Sequence, residues 1–136
     1  MTSQLESNAA MSTANHGLVE LESGHPTTQT YRVQFGVPET LPLFRDHFAT
    51  FAVLPAFVII DVSLTQAQRL WSSLGTWESL PKLKLLAPIV PGERPTLELK
   101  RSGHEVSFSW SVDKDGTKRT VVTGQLRFSE PPRAVP

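Results

Sequence analysis

The stretch PAFVIIDVSLTQAQRLWS, residues 55–72, decides how the rest of the chain is read. Pro55 suits the first position of a helix, where a missing N–H costs nothing. No residue from Ala56 to Trp71 breaks one. The first turns are apolar all round, with Phe57, Val58, Ile59 and Ile60 in succession, and Gln66, Gln68 and Arg69 come only later. A helix of that kind is enclosed rather than laid on a surface. It needs cover on several sides, and the flanking sequence supplies it.

Downstream, Val106, Phe108, Trp110 and Val112 alternate with Ser107, Ser109 and Ser111, the period of a half-buried strand. Leu97 and Leu99 alternate in the same way with Glu98 and Lys100, and Ser102-Gly103-His104 is the turn between the two runs. Asp115-Gly116 is a hairpin turn, after which Val122, Gly124, Leu126 and Phe128 form one face of a last strand. Residues 83–90 read as a Leu-rich strand ending at the turn pair Pro91-Gly92. Upstream, Tyr31, Val33 and Phe35 alternate with Arg32 and Gln34. The expected fold is therefore α+β: a curved antiparallel β-sheet wrapped around one long central helix, with one sheet face buried. A partner subunit is one further way of covering the helix.

Residues 1–29 are rich in Ser, Thr, Asn, Gln, Ala and Gly and read as a flexible N-terminal tail, with Leu18–Leu21 its one candidate for order. Residues 30–129 form the domain. Residues 130–136, with Pro131, Pro132 and Pro136, read as a frayed C-terminal tail.

The bulk properties narrow the function classes. A chain of 136 residues is the size of one domain with a proper core, and 39% hydrophobic with 19% charged residues is ordinary for a soluble protein. Zero formal charge gives no general electrostatic case for nucleic acid or an anionic membrane. No Lys or Arg precedes Arg32, so beyond Glu6, Glu20 and Glu22 thirteen basic side chains face ten acidic ones, a mild lean toward an acidic partner. The absence of cysteine excludes disulfides, thiolate metal sites and a thiol nucleophile. Neither a signal peptide nor an apolar stretch of membrane-spanning length is present, which makes a cytoplasmic location the expectation.

Two polar residues bracket the apolar run: His47 before it and Asp61 within it. On a helix, Asp61 has Phe57, Val58, Leu64 and Thr65 as its neighbours. A buried, unpaired carboxylate costs several kcal/mol, so such a group finds a partner or keeps its proton, and a protonated acid can serve as a general acid near neutral pH. Two readings stay open for Asp61: that catalytic one, and an acid pointing to solvent or capping a loop. His47 likewise reads either as a half-buried, hydrogen-bonded histidine or as a base. His16 and His25 fall in the tail and His104 in a turn, so none of them has a case as a site residue. No metal site is expected, because there is no cysteine and no HxxxH-type spacing. A G-x-S-x-G nucleophile context and a Gly-rich phosphate loop are also absent.

Taken together, Asp46-His47-Phe48-x4-Val53-Leu54-Pro55-Ala56-x4-Asp61 resembles the G-H-F-P-x-x-P-V-x-P-G-x4-(D/E) signature of hotdog-fold 3-hydroxyacyl-acyl-carrier-protein dehydratases. These are the FabA/FabZ type, and the likeness is greatest to the ApeI-like branch. The fourteen-residue step from His47 to Asp61 equals the family's step from catalytic His to acid. Lys84-Leu85-x3-Ile89-Val90-Pro91-Gly92 resembles the family's K-F-x-x-P-V-x-P-G, and Gly124-Gln125-Leu126 its last strand. The resemblance spans residues 30–129 and implies a homodimer whose subunits pair their sheets and share each active site. It implies that His47 takes the α-proton of a 3-hydroxyacyl thioester while Asp61 of the other subunit protonates the leaving hydroxyl. The N–H of Ala56 would polarise the thioester carbonyl, as a helix N-terminus can. Pro55 is a further substrate-binding candidate, and Phe51, Phe57 and Leu64 read either as the lining of an acyl tunnel or as core beside the buried helix. No cofactor is implied beyond the phosphopantetheine arm of the substrate, carried on acyl carrier protein or coenzyme A. Arg45, Lys82, Lys84 and Arg94 read either as contacts for that acidic carrier or as solvated charge. Trp71 and Trp77 read as packing residues at the helix exit. Three positions depart from the pattern: Asp46 and Ala56 stand where the family has Gly, and Ala49 where it has Pro. The alternatives on the same fold are a thioesterase using Asp61 to activate water, and a non-catalytic acyl-thioester-binding partner subunit.

Overall fold

The structure, a computed structural model, describes residues 15–41 and 53–129. His47 and Phe51 lie outside the described residues, as do Arg45, Asp46 and Ala49.

The alternating residues form the centre of a six-stranded antiparallel sheet. Its strands are β1 (Val19–Ser23), β2 (Thr30–Gly36), β3 (Trp77–Leu85), β4 (Thr96–Ser102), β5 (Glu105–Lys114) and β6 (Thr117–Phe128), in the order β1-β2-β4-β5-β6-β3. β5 lies between β4 and β6, pairing Phe108 with Leu99 on one side and Gly124 on the other. The β5–β6 hairpin turns at Asp115-Gly116, both left-handed (φ 53° and 78°), the backbone a two-residue turn requires. Val106, Phe108 and Trp110 point inward with Leu97, Leu99, Val122 and Leu126, all essentially inaccessible. Gly124 makes room for this packing: a Cβ there would sit 2.2 Å from Cζ of Phe108.

The helix α1 (Ala56–Leu70) lies against this inner face, as expected from residues 55–72. Pro55 is its N-cap, with extended backbone, and the Leu54 N–H donates to the Ile89 carbonyl (2.7 Å), tying the helix entry to the loop after β3. Val58, Ile59, Val62, Ser63, Gln66 and Ala67 are its buried residues. The Trp110 indole N–H donates to Ser63 Oγ (2.9 Å), and the Ser63 hydroxyl donates in turn to the Ile59 carbonyl (2.7 Å). Phe35 stacks on Trp110 at 5.7 Å between centroids. Burying polar groups in this way is tolerable only because each finds a partner.

Three expectations are corrected. The helix is not enclosed on all sides: Phe57 is 63% exposed, so the described residues cover one face of α1 and leave the other open. The strand expected over 83–90 instead spans Trp77–Leu85. Beyond it Pro88 has no N–H to give to a ladder, and the segment turns so that Ile89 is buried beside Leu54. Pro81, inside β3, is accommodated because β3 is an edge strand, and the β3–β6 register shifts between Ser79 and Lys82. Finally, of residues 15–29, assigned by composition to a flexible tail, the candidate for order at Leu18–Leu21 falls on β1, which pairs with β2 from Val19–Gly36 to Ser23–Val33, and the order extends beyond it. Leu18 inserts into the core, and this one apolar anchor with strand pairing outweighs the polar composition around it.

Candidate functional site

The open face of α1 carries Phe57 and Asp61, spaced i, i+4, and the stripe they share runs on to Leu64, which is partly buried against the core. Asp61 is half-exposed, with 50% of its side chain accessible. Of the two readings of this acid, the structure shows neither a sealed carboxyl nor a free solvent-facing one. Its Oδ2 lies 2.5 Å from Nε2 of His16.

At the N-terminus of the same helix a cleft of about 400 Å³ is lined by Val53, Leu54, Pro55, Ala56 and Ile59 on one side and Leu85–Ile89 on the other. Its walls are almost wholly apolar, and Leu85 and Leu86 are exposed at its rim. The Val58 and Ile59 N–H groups both reach the Pro55 carbonyl, at 3.1 and 3.3 Å. The N–H groups of Ala56 and Phe57 precede that first helical bond, so they have no intrahelical acceptor and face outward with the positive end of the helix dipole. The sequence-derived residues thus divide between two adjacent places. Pro55 and Ala56 line the cleft, while Phe57, Asp61 and Leu64 occupy the neighbouring stripe. His47 and Phe51 belong to the segment outside the described residues.

A second trough, of about 470 Å³, lies on the outer face of the sheet, where Lys82, Lys84 and Lys100 surround Ser107, Ser109 and Thr123. Its one acid, Glu98, is tied to Lys118, and none of its lining residues belongs to α1. Arg94 is exposed near Val112 and Lys114. Trp71 is buried and donates its indole N–H to the Thr27 carbonyl (3.3 Å), so it is a packing residue, whereas Trp77 is exposed and donates to the Ser79 carbonyl two residues on (2.9 Å). No group of three or more metal-ligating side chains occurs among the described residues. Nor does any helix among them have the length and apolarity to cross a membrane.

Sequence reasoning missed His16. Its imidazole lies on Asp61 and edge-on to Phe57, with ring centroids 6.0 Å apart. The only sequence signal was the following Gly17, a turn residue, because a contact across forty-five positions leaves no periodic trace.

The structure is similar to the dehydratase heterocomplex ApeI:P from Xenorhabdus doucetiae, at 24% identity and TM-score 0.72, over 82% of this chain and 96% of that one. It is equally similar to an uncharacterised protein from Erwinia carotovora subsp. atroseptica, at 25% identity and TM-score 0.72, over 83% and 96%. The dehydratase domain of the CurF module of curacin polyketide synthase shares the fold at 10% identity and TM-score 0.65, over 83% of this chain and 44% of that one. No curated protein sequence matches the chain. The curved sheet with its single long helix is the hotdog fold. A family model described as ApeI dehydratase matches residues 23–125, most of the folded chain, and the protein belongs to the ApeI-like dehydratase family.

Proposed function

We propose that this protein removes water from a 3-hydroxyacyl thioester carried on acyl carrier protein, giving the trans-2-enoyl thioester, in fatty-acid or polyene-type biosynthesis. The observation that carries the reading is the position of Asp61: a half-exposed acid on the open stripe of α1, beside an apolar cleft at the helix N-terminus, in a chain of this family. The acyl chain enters the apolar cleft and the thioester carbonyl meets the N–H of Ala56. His47 of one subunit takes the α-proton, and the electron pair forms the α–β double bond as the β C–O bond breaks. Asp61 of the other subunit gives its proton to the departing hydroxyl, which leaves as water. Proton exchange with solvent then restores both groups. The methyl of Ala56 narrows the approach to the carbonyl without removing the donor.

The open stripe also supports a homodimer, since an aromatic side chain 63% exposed beside an acid is the kind of surface a second subunit covers. A cytoplasmic location fits a carrier-bound substrate. The test is turnover of a 3-hydroxyacyl carrier-protein thioester, followed by the enoyl absorbance, with His47→Ala and Asp61→Asn as controls. Enoyl product from wild type and its loss in both variants is the expected result. Release of free thiol identifies a thioesterase. Carrier binding without turnover identifies a non-catalytic partner subunit. Undiminished turnover by His47→Ala overturns the assignment of the base.

A further inference from the structure

The residues that place His16 form a built turn. Asn15 is 1% exposed, and its Oδ1 accepts from Nε2 of the buried Gln66 on α1 (3.2 Å). Leu18 is buried in the core and returns its N–H to the Asn15 carbonyl (3.0 Å). Between these two anchors His16 itself is left-handed, φ 54°, a conformation that non-glycine residues rarely adopt and that persists where surroundings enforce it. Gly17 follows at φ 87°, and a Cβ there would lie 2.3 Å from Cδ2 of Leu41. Strained backbone, held at both ends by buried contacts, delivers one imidazole nitrogen to one carboxylate oxygen at 2.5 Å.

We infer that His16 is a positioning residue for Asp61, holding Oδ2 so that Oδ1 is the oxygen presented to the leaving hydroxyl. The inference rests on the dehydratase reading and adds to it a residue that lies outside the family match, which begins at residue 23. The imidazole donates its Nε2–H to Oδ2, so the acid proton of Asp61 is carried on Oδ1, from which it passes to the departing hydroxyl. The carboxyl is thereby fixed in rotation, and a fixed acid donates along one direction instead of sampling several. The ring of Phe57 stands perpendicular to the imidazole and packs against it. A detachable strap would be tied by exposed contacts. This turn is tied by Asn15 and Leu18 in the interior and continues directly into β1, so it is a permanent part of the site and not a lid over it.

The variant that isolates the imidazole is His16→Gly, since glycine is at ease at φ 54° and relieves the backbone. With the 3-hydroxyacyl carrier-protein substrate, kcat of His16→Gly falls about ten-fold at unchanged KM, the rate equivalent of one charge-assisted hydrogen bond. His16→Gln, which keeps an N–H donor at similar reach, recovers part of that loss. A His16→Gly enzyme as fast as wild type overturns the inference, and a faster one identifies the turn as a block on the acid and overturns it too. The pair is read independently by ring-nitrogen NMR of the unliganded protein. Asp61→Asn is expected to move the His16 signals and leave those of His25 in place, and unmoved His16 signals overturn the contact. Wild-type protein without turnover overturns the dehydratase reading instead, and the ring-nitrogen result then decides the His16–Asp61 pair by itself.

Discussion

The two faces of α1 differ more than any two elements of the molecule. On the inner face Val58, Val62 and Ala67 are wholly inaccessible, and the polar Ser63 and Gln66 are paired with Trp110 and Asn15. On the outer face, one residue away in sequence, Phe57 is 63% exposed and Asp61 half-exposed. The inner face is filled and satisfied, so almost any change there leaves a void or an orphaned polar atom. The outer face has little to lose in folding free energy, and that is where the acid and its histidine sit. On the proposed function, stability and chemistry fall on opposite sides of a fifteen-residue helix.

The sharpest way to break this division is to change one residue on each side. Asp61→Asn is expected to lower kcat by about 10²–10⁴, the range for losing a general acid, with the thermal midpoint moving little. A drop in midpoint as large as that of a core variant would show that the outer face also holds the fold together. Phe108→Ala, in the opposite sense, removes the ring over Gly124 and is expected to cost about 3–5 kcal/mol in denaturant unfolding. Trp110→Phe keeps most of the packing but removes the donor to Ser63, at about 1–2 kcal/mol. Phe57→Ser should change unfolding free energy by no more than about 0.5 kcal/mol while weakening self-association in sedimentation experiments. A well-folded variant with unaltered association would detach the open stripe from any subunit contact. The smallest effect is at the surface pair Glu98–Lys118 (2.6 Å), where the lysine's hydrogen bond, opposed in part by burial, lowers the carboxyl below its ordinary range. A depressed acid stabilises the fold above its unfolded-state pKa, and that contribution fades as pH falls through the folded value. Lys118→Ala should therefore cost about 0.5 kcal/mol or less at neutral pH, and the difference from wild type should close in acid.

Much of the sheet was legible because strand period and burial coincide. Val106, Phe108 and Trp110 alternate with serines, and all three of these large residues are buried. The helix was legible because Pro55 opens it and nothing interrupts it before Trp71. Its exposure was not, since an apolar side chain facing a prospective partner reads the same as one facing the core. β3 was displaced because the Leu-rich composition of residues 83–90 concealed Pro88, while Trp77–Lys82 lacks a clean alternation. β1 was legible only as the short candidate at Leu18–Leu21, because the side chains of Val19-Glu20-Leu21-Glu22 are mostly exposed. Its order comes from backbone pairing and from Leu18, and neither is written in composition. The same holds for His16, whose role depends on a turn that only the folded chain brings to Asp61.

The edges of the sheet carry one more consequence. β3 ends the sheet with Pro81 in its middle, Lys82 and Lys84 exposed beside it, and two shifts of register along its pairing with β6. β1 ends the other side with a bulge between Glu20 and Glu22. A row of free backbone groups is a template on which other chains stack, and proline, charge and irregular register are what interrupt it. Regular register at the β3 edge is confined to Lys82–Leu85, so a second copy's strand finds only a short stretch on which to pair, and open-ended stacking of chains is disfavoured.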